Sequence, residues 1–289
     1  MTKRKGIILA GGSGTRLHPM TLAVSKQLLN IYDKPMIYYP LSTLMMSDIR
    51  DICIITSPNN SKLFKDLLGD GSNYGIDLTY IEQPSPDGLA QAYLLAENFL
   101  NGSPSAMILG DNIFYGSDFE KLIKLASKNQ NESTIFGYQV RDPRRYGVVD
   151  IDDKGKALSI IEKPKSPKSN LAVTGLYFLD GDAPNMAKEV TPSPRGELEI
   201  TSLLELYMLQ SKLKVEVLKR GNAWLDTGTF ESLNEAGNFV KTLQARQGIQ
   251  IGCLEEIAFK NNWISIDELN KLINFYSKTD YGQYLKNLI

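Results

Sequence analysis

Histidine is almost missing from this chain: His18 is its one instance in 289 residues. A histidine-based metal cluster or a Ser-His-Asp triad would rest wholly on that side chain, which stands beside Pro19 and reads instead as a polar contact. Cysteine is scarce too. Cys53 and Cys253 lie in apolar surroundings without the paired spacing of zinc or redox motifs, which excludes a disulfide framework and leaves two buried hydrophobes. Neither sign of charge dominates, since 32 Lys and Arg face 33 Asp and Glu for a net charge of -1. A broad basic face that tracks nucleic acid or an anionic membrane is therefore not expected, and any anionic ligand must meet a local cluster of cations. Long apolar runs are also lacking. Ile7-Ile8-Leu9-Ala10 follows Lys3-Arg4-Lys5 as in a signal peptide but stops at Gly11-Gly12, and the stretch from Met36 to Met46 is broken by Pro40. The expectation is a soluble, cytoplasmic protein with no nucleic-acid or membrane partner.

What is present is alternation. Gly6–Ala10, Ile52–Thr56, Leu78–Ile81 and Ala106–Leu109 are β-rich, while Leu63–Leu68, Leu89–Leu100 and Phe119–Ala126 space their apolar residues helically. That order predicts an α/β fold with a mainly parallel sheet wrapped by helices. From Gly147 to Ile161 the pattern becomes a hairpin beside that sheet, turning at Asp153-Lys154-Gly155, so the sheet is expected to be mixed. Helical spacing returns over Glu197–Leu209 and Phe230–Gln244, with a strand over Val215–Leu218 between them. The amphipathic tail beyond Arg246 reads as a helical extension suited to core packing or a subunit interface.

The chemistry-bearing stretches sit at the ends of these strands. Gly11-Gly12-Ser13-Gly14-Thr15-Arg16 follows the first strand, a flexible turn whose unhindered amides can approach phosphate oxygens, with a guanidinium at its end. It matches neither the dinucleotide fingerprint, because Leu17 stands where the last glycine is required, nor the P-loop, because no Gly-Lys-Ser/Thr follows. On glycines alone a phosphate cradle and a plain tight turn are equally good readings. Arg16 and the nearby Lys26 favour the phosphate. Asp111 follows the strand Ala106–Leu109, where ligands of open α/β sheets bind, although an aspartate there can equally cap a turn. Asp226, between Trp224 and Gly228, is the candidate second carboxylate. Two aspartates plus substrate phosphates would suit Mg²⁺. Glu162 and Lys163 can serve sugar hydroxyls and a phosphate, or can form an ordinary solvated pair. Gln83 and Gly88 flank a rigid turn able to face a base edge, or serve as a plain connection.

Several longer motifs then point to one family. Leu9 through Leu17, Ser25-Lys26-Gln27-Leu28-Leu29, Tyr32-Asp33-Lys34-Pro35-Met36, Gly110-Asp111-Asn112, Ile161-Glu162-Lys163-Pro164, Arg195 through Thr201, and Ala223 through Gly228 closely resemble those of bacterial glucose-1-phosphate thymidylyltransferases, within the sugar-phosphate nucleotidyltransferases. The resemblance implies a Rossmann-like core of nucleotide-diphospho-sugar transferase type. It also implies attack of glucose 1-phosphate on the α-phosphorus of dTTP, giving dTDP-glucose and pyrophosphate. By the same resemblance, Leu9, Gly11, Gly12, Ser13, Gly14, Thr15, Arg16 and Asp111 bind the nucleotide, the Gly11–Arg16 loop contacting its triphosphate, with Arg16 and Lys26 steadying the charge. Gln83 and Gly88 read the base, Asp111 and Asp226 hold Mg²⁺, and Tyr146, Gly147, Glu162, Lys163 and Val173 hold the sugar phosphate. The core is expected over residues 1–246, divided into a nucleotide part to about 135 and a sugar-phosphate part from 136, and the helical extension over 247–289. The longer members assemble as homotetramers inhibited by a downstream dTDP-sugar such as dTDP-rhamnose. The chain has Asn30, Ser202, Phe230 and Lys260 where the family usually carries proline, aspartate, histidine and arginine. Rival readings are the same transfer with UTP, a non-catalytic sugar-nucleotide-binding regulatory subunit and, last, a dinucleotide oxidoreductase.

Overall fold

The computed structural model describes residues 3–130 and 132–289. The chain begins with β1 (Lys5–Leu9), a tight hairpin β2 (Asn30–Ile31) and β3 (Lys34–Pro35), and helix α1 (Tyr38–Met46). There follow β4 (Asp51–Thr56), α2 (Pro58–Leu68), β5 (Asp77–Glu82), the short helices α3 (Gln91–Leu95) and α4 (Glu97–Leu100), and β6 (Ser105–Leu109). The middle of the chain supplies β7 (Asn112–Tyr115), α5 (Phe119–Lys128), β8 (Ser133–Gln139), β9 (Gly147–Ile151), β10 (Ala157–Glu162) and β11 (Leu171–Leu179). Then come α6 (Ala183–Lys188), α7 (Ile200–Leu209), β12 (Leu213–Val217) and β13 (Ala223–Asp226). The chain closes with α8 (Phe230–Gln247), α9 (Leu254–Lys260), α10 (Ile266–Phe275) and α11 (Asp280–Lys286).

Nine strands form one mixed sheet among the described residues, in the order β10-β9-β11-β6-β1-β4-β5, with β8 and β12 continuing from β11. The β5-β4-β1-β6 half is parallel, and β11 enters antiparallel to β6 and β8. Alternate residues of the parallel strands feed opposite cores: Ile8, Ile54 and Ile108 pack with α1, α5 and the tail helices, whereas Ile7, Cys53 and Met107 pack with α3, α6 and α7. A parallel strand covered on both faces reads as a continuous apolar run, as β1 does.

Three elements differ from the sequence expectation. The run Leu89–Leu100 is two short helices meeting at Ala96, whose backbone at φ -87° and ψ 3° ends the first and begins the second. The helix expected from Glu197 starts at Ile200, since Leu198 is held extended by bonds from its N–H to the Asp87 carbonyl (2.6 Å) and from the Ala90 N–H to its own carbonyl (3.0 Å). Strand β11 went unanticipated: all nine of its residues are buried, so it carries no period-two signal.

Candidate active site

The site lies at the carboxyl ends of β1 and β6 and along the inner edge of the β9, β10 and β11 arm. Chain exit from β1 is fixed by backbone bonds from Ala10 N–H to the Ile55 carbonyl (2.7 Å) and from Gly110 N–H to the Leu9 carbonyl (2.9 Å). The glycine loop then turns with Gly12 at φ 101° and Gly14 at φ 60°, conformations that side chains rarely adopt. Leu17, fully buried, pins the far end of the loop while Arg16 stays accessible. Gly11 has no space for a Cβ, which would overlap the Gln83 side-chain oxygen. Gln83 is itself buried and donates its amide to Gln91 (2.6 Å).

A two-stranded antiparallel sheet outside the main one brings the two aspartates together. Strand β7 pairs with β13 so that Asp226 stands opposite Asn112, next to Asp111. Thr227 completes the junction by donating both its N–H (3.2 Å) and its hydroxyl (2.8 Å) to the Asp111 carbonyl. Across Gly228, a Cβ would sit 3.0 Å from Asp226 Oδ1 and 3.3 Å from Arg16 Nη2, so the glycine keeps that carboxylate and guanidinium near each other. Lys26 donates its ammonium to Asp111 Oδ2.

These neighbours drive the two carboxyls in opposite directions. Burial works to raise Asp111, but the Lys26 charge and the hydrogen bonds from Lys26 and Asn112 outweigh it and hold the carboxyl below its usual range. Asp226 is pushed up by burial and then by the Asp111 charge, against the opposing pull of Lys26, Arg16 and Arg145. One carboxylate is thus ion-paired, whereas its neighbour feels Lys26, Arg16 and Arg145 only at longer range.

On the other wall, Glu162 is the hub. It accepts from Arg195 Nη2 (3.3 Å) and the Thr201 hydroxyl (3.3 Å), and pairs with Lys163 Nζ (3.2 Å). Lys163 adopts φ 43°, held by its N–H on the Tyr146 carbonyl (3.0 Å), and left-handed backbone at a non-glycine position tends to mark functional sites. Arg195 is steadied by Glu199 (2.7 Å). The Tyr146 and Trp224 rings meet at 5.2 Å between centroids.

A cavity of about 330 Å³ joins both walls, and Leu9, Gly11, Arg16, Lys26, Asp111, Tyr146, Gly147, Glu162, Lys163, Val173 and Asp226 all line it. Gly12, Ser13 and Gln83 line an adjoining space of about 370 Å³, and Lys26 borders both. Gly14, Thr15 and Gly88 border neither. Gly88, at φ 117°, instead backs onto Leu198, whose main chain a Cβ would strike. The motif reading assigned no role to Arg145, Asn112, Arg195 or Thr201, which also line the main cavity. Thr201 stood in the segment read as helical, Arg195 lies just ahead of it, and Arg145 follows another arginine in a charged turn, so spacing alone did not single them out.

A glycine-rich loop, a carboxylate paired with Lys26 and a polar second wall at one end of a mixed sheet suit a transferase that handles nucleotides. The nucleotidyl transferase family model matches residues 5–242. Glucose-1-phosphate thymidylyltransferase of Xanthomonas campestris pv. campestris is 56% identical over 288 residues, covering 100% of this chain and 98% of that protein. Its namesake from Mycolicibacterium smegmatis is 50% identical, covering 99% of each. Among solved structures, a UDP-glucose pyrophosphorylase complexed with UDP-glucose aligns with a TM-score of 0.74 at 26% identity over 83% of this chain and 99% of that one. A Bacillus anthracis protein assigned as a glucose-1-phosphate thymidylyltransferase, solved with sucrose, aligns at 0.75 with 39% identity over 82% of this chain and 94% of its own. This chain belongs to the nucleotidyl transferases and, within them, to the glucose-1-phosphate thymidylyltransferase family.

Proposed function

We propose that this protein transfers the thymidylyl group of dTTP to α-D-glucose 1-phosphate, releasing dTDP-glucose and pyrophosphate. The observation that carries the reading is the meeting of Arg16, the Lys26–Asp111 pair and Asp226 in one cavity with the Glu162-Lys163-Arg195 wall. A phosphate oxygen of the sugar substrate attacks the α-phosphorus in line. The new O–P bond forms as the bond to the β-phosphate bridge breaks, and the electron pair leaves with pyrophosphate. The Gly11–Arg16 loop cradles the triphosphate with its amides and guanidinium, Lys26 offsets charge, Gln83 and the Gly88 strap face the base, and Lys163 orients the attacking phosphate. Tyr146, Gly147, Glu162 and Val173 enclose the sugar.

Asp111 and Asp226 are the residues that would hold Mg²⁺. Both donors are hard oxygens, their charges act on one another, and no cluster of three or more His, Cys, Asp or Glu exists among the described residues. The rest of the coordination would come from substrate phosphates and water. When bound, the ion supplies charge neutralisation at the phosphates.

We further infer a nucleotide part to about residue 135, a sugar-phosphate part to 246 and an interface-forming extension over 247–289, in a cytoplasmic homotetramer subject to feedback by a dTDP-sugar such as dTDP-rhamnose. The family membership supports this reading. The test is pyrophosphate release with Mg²⁺, each nucleoside triphosphate and a panel of sugar 1-phosphates. The highest kcat/KM is expected for dTTP with glucose 1-phosphate. UTP should fall short by about 10- to 200-fold, the usual worth of one methyl contact. No release with any pair overturns the reading.

A further inference from the structure

Asn112 is 2% exposed, and every polar atom of its side chain is engaged. Its Oδ1 accepts from the Gly175 N–H (3.1 Å) and from Trp224 Nε1 (2.6 Å), and its Nδ2 donates to Asp111 Oδ1 (2.9 Å). The orientation of this amide is forced by chemistry. Gly175 N–H and the indole N–H are both donors with no acceptor capacity, so only the oxygen can face them, and the NH₂ must point at the carboxylate. The approach is close enough to require glycine at position 175, because a Cβ there would stand 2.5 Å from that oxygen. The three anchor points belong to different strands: Asn112 opens β7, Gly175 lies on β11 and Trp224 on β13. Lys26 occupies the other oxygen of Asp111, so each carboxylate oxygen has its own fixed partner.

We propose that Asn112 is a positioning residue, which reads the relative placement of β7, β11 and β13 and locks the Asp111 carboxylate in a single orientation before substrate and metal arrive. The role rests on the reading of Asp111 as a metal ligand. Hydrogen-bonded partners of this kind fix a ligand's orientation and tune its affinity, and their loss typically weakens metal binding by about 10–100-fold. Because the Trp224 ring also packs against Tyr146 at a tilt of 58°, the same amide ties that carboxylate to the sugar-phosphate wall.

The test measures Mn²⁺ binding by the free-ion paramagnetic resonance signal, using full-length protein saturated with dTTP and lacking sugar phosphate, so that no turnover occurs. Asn112→Ala is expected to weaken Mn²⁺ binding by about 10–100-fold. In separate kinetics kcat should fall while the KM for glucose 1-phosphate changes less than about twofold. Asn112→Ser, which keeps a hydroxyl acceptor for the buried donors, replaces it under the same criteria if the alanine variant does not fold. Asp111→Asn is the comparator. If Asp111→Asn weakens binding and the Asn112 variant does not, the positioning role is overturned and the metal site stands. If neither does, Asp111 is not a ligand and both readings fall. A raised sugar-phosphate KM with intact Mn²⁺ binding also overturns the proposal, because Asn112 would then be a direct sugar contact.

Discussion

Asp111 and Asp226 show how two identical side chains on adjoining strands acquire opposite characters. Burial disfavours charge at both, yet Lys26 and Asn112 hydrogen-bond Asp111 and not Asp226, and the resulting negative charge then bears on Asp226. Under the proposed metal role, replacing Asp226 by asparagine removes a charged donor. The expected loss in kcat/KM is on the order of 10³-fold, with an unfolding midpoint at or above that of the parent. Pyrophosphate release and a thermal melt check both halves, and parental turnover would remove Asp226 from the metal site. Glu255 presents the same physics away from the chemistry. It is fully buried, its Oε1 has no partner, and burial raises its carboxyl despite the hydrogen bond from Tyr281. A folded value above the unfolded one, about 4.3, means that its stability contribution is full below that pH and is lost as pH rises through the folded value. Glu255→Gln should therefore match the parent near pH 4 and exceed its stability by on the order of 1 kcal/mol at pH 8, read by urea unfolding at both pH values.

At the scale of elements, connections outside the main sheet place the chemistry. The strap at residues 87–90 is tied to the extended Leu198 by two backbone bonds, and Gly88 is the point of closest approach. Gly88→Ala combines an unfavourable φ of 117° with a clash against that main chain. A destabilisation of about 1–3 kcal/mol is expected, together with a raised KM for the nucleotide and an unchanged KM for the sugar phosphate, in denaturation and initial-rate measurements. The β2–β3 hairpin shows a different device. Lys34 is buried with Asp33 (2.7 Å), Gln250 (3.0 Å) and Gln244 (3.3 Å), so one ammonium joins the hairpin, the end of α8 and the tail. That hairpin begins two residues after the turn carrying Lys26 and is followed by Met36, whose sulfur lies 3.2 Å from the Thr227 hydroxyl oxygen. Helix α8 leaves the site in a fixed direction because Thr229 caps it reciprocally with Ser232.

Across the whole molecule, the tail is part of the main core. Leu254, Ile264 and Leu269 pack in one cluster with Ile8, Ile52 and Phe64 from the first sheet strands and α2. Three such buried side chains are each worth about 1.5–3 kcal/mol. A chain ending at Gly248 is therefore expected to lose on the order of 5 kcal/mol and to aggregate. Chemical denaturation and size-exclusion chromatography would show this, and a monodisperse truncated chain of parental stability would contradict it.

Local chemistry was legible without the fold. The parallel half of the sheet announced itself because strands buried on both faces are apolar throughout, and the glycine turn with Arg16 and Lys26 because phosphate needs unhindered amides and nearby cations. The scarcity of histidine and cysteine excluded whole classes of catalyst. What the linear pattern could not contain is adjacency between residues far apart in the chain. Asp111 and Asp226 meet through a two-stranded sheet only four residues long on each side, too short to carry a period. Arg195 reaches Glu162 from the turn at residues 193–196, ahead of the segment that looks helical. Asn112 becomes informative only when Gly175 and Trp224 converge on it. Composition and spacing record what each residue can do, but hydrogen-bond partners and shared burial depend on which strands lie side by side, and that is decided by the packed sheet.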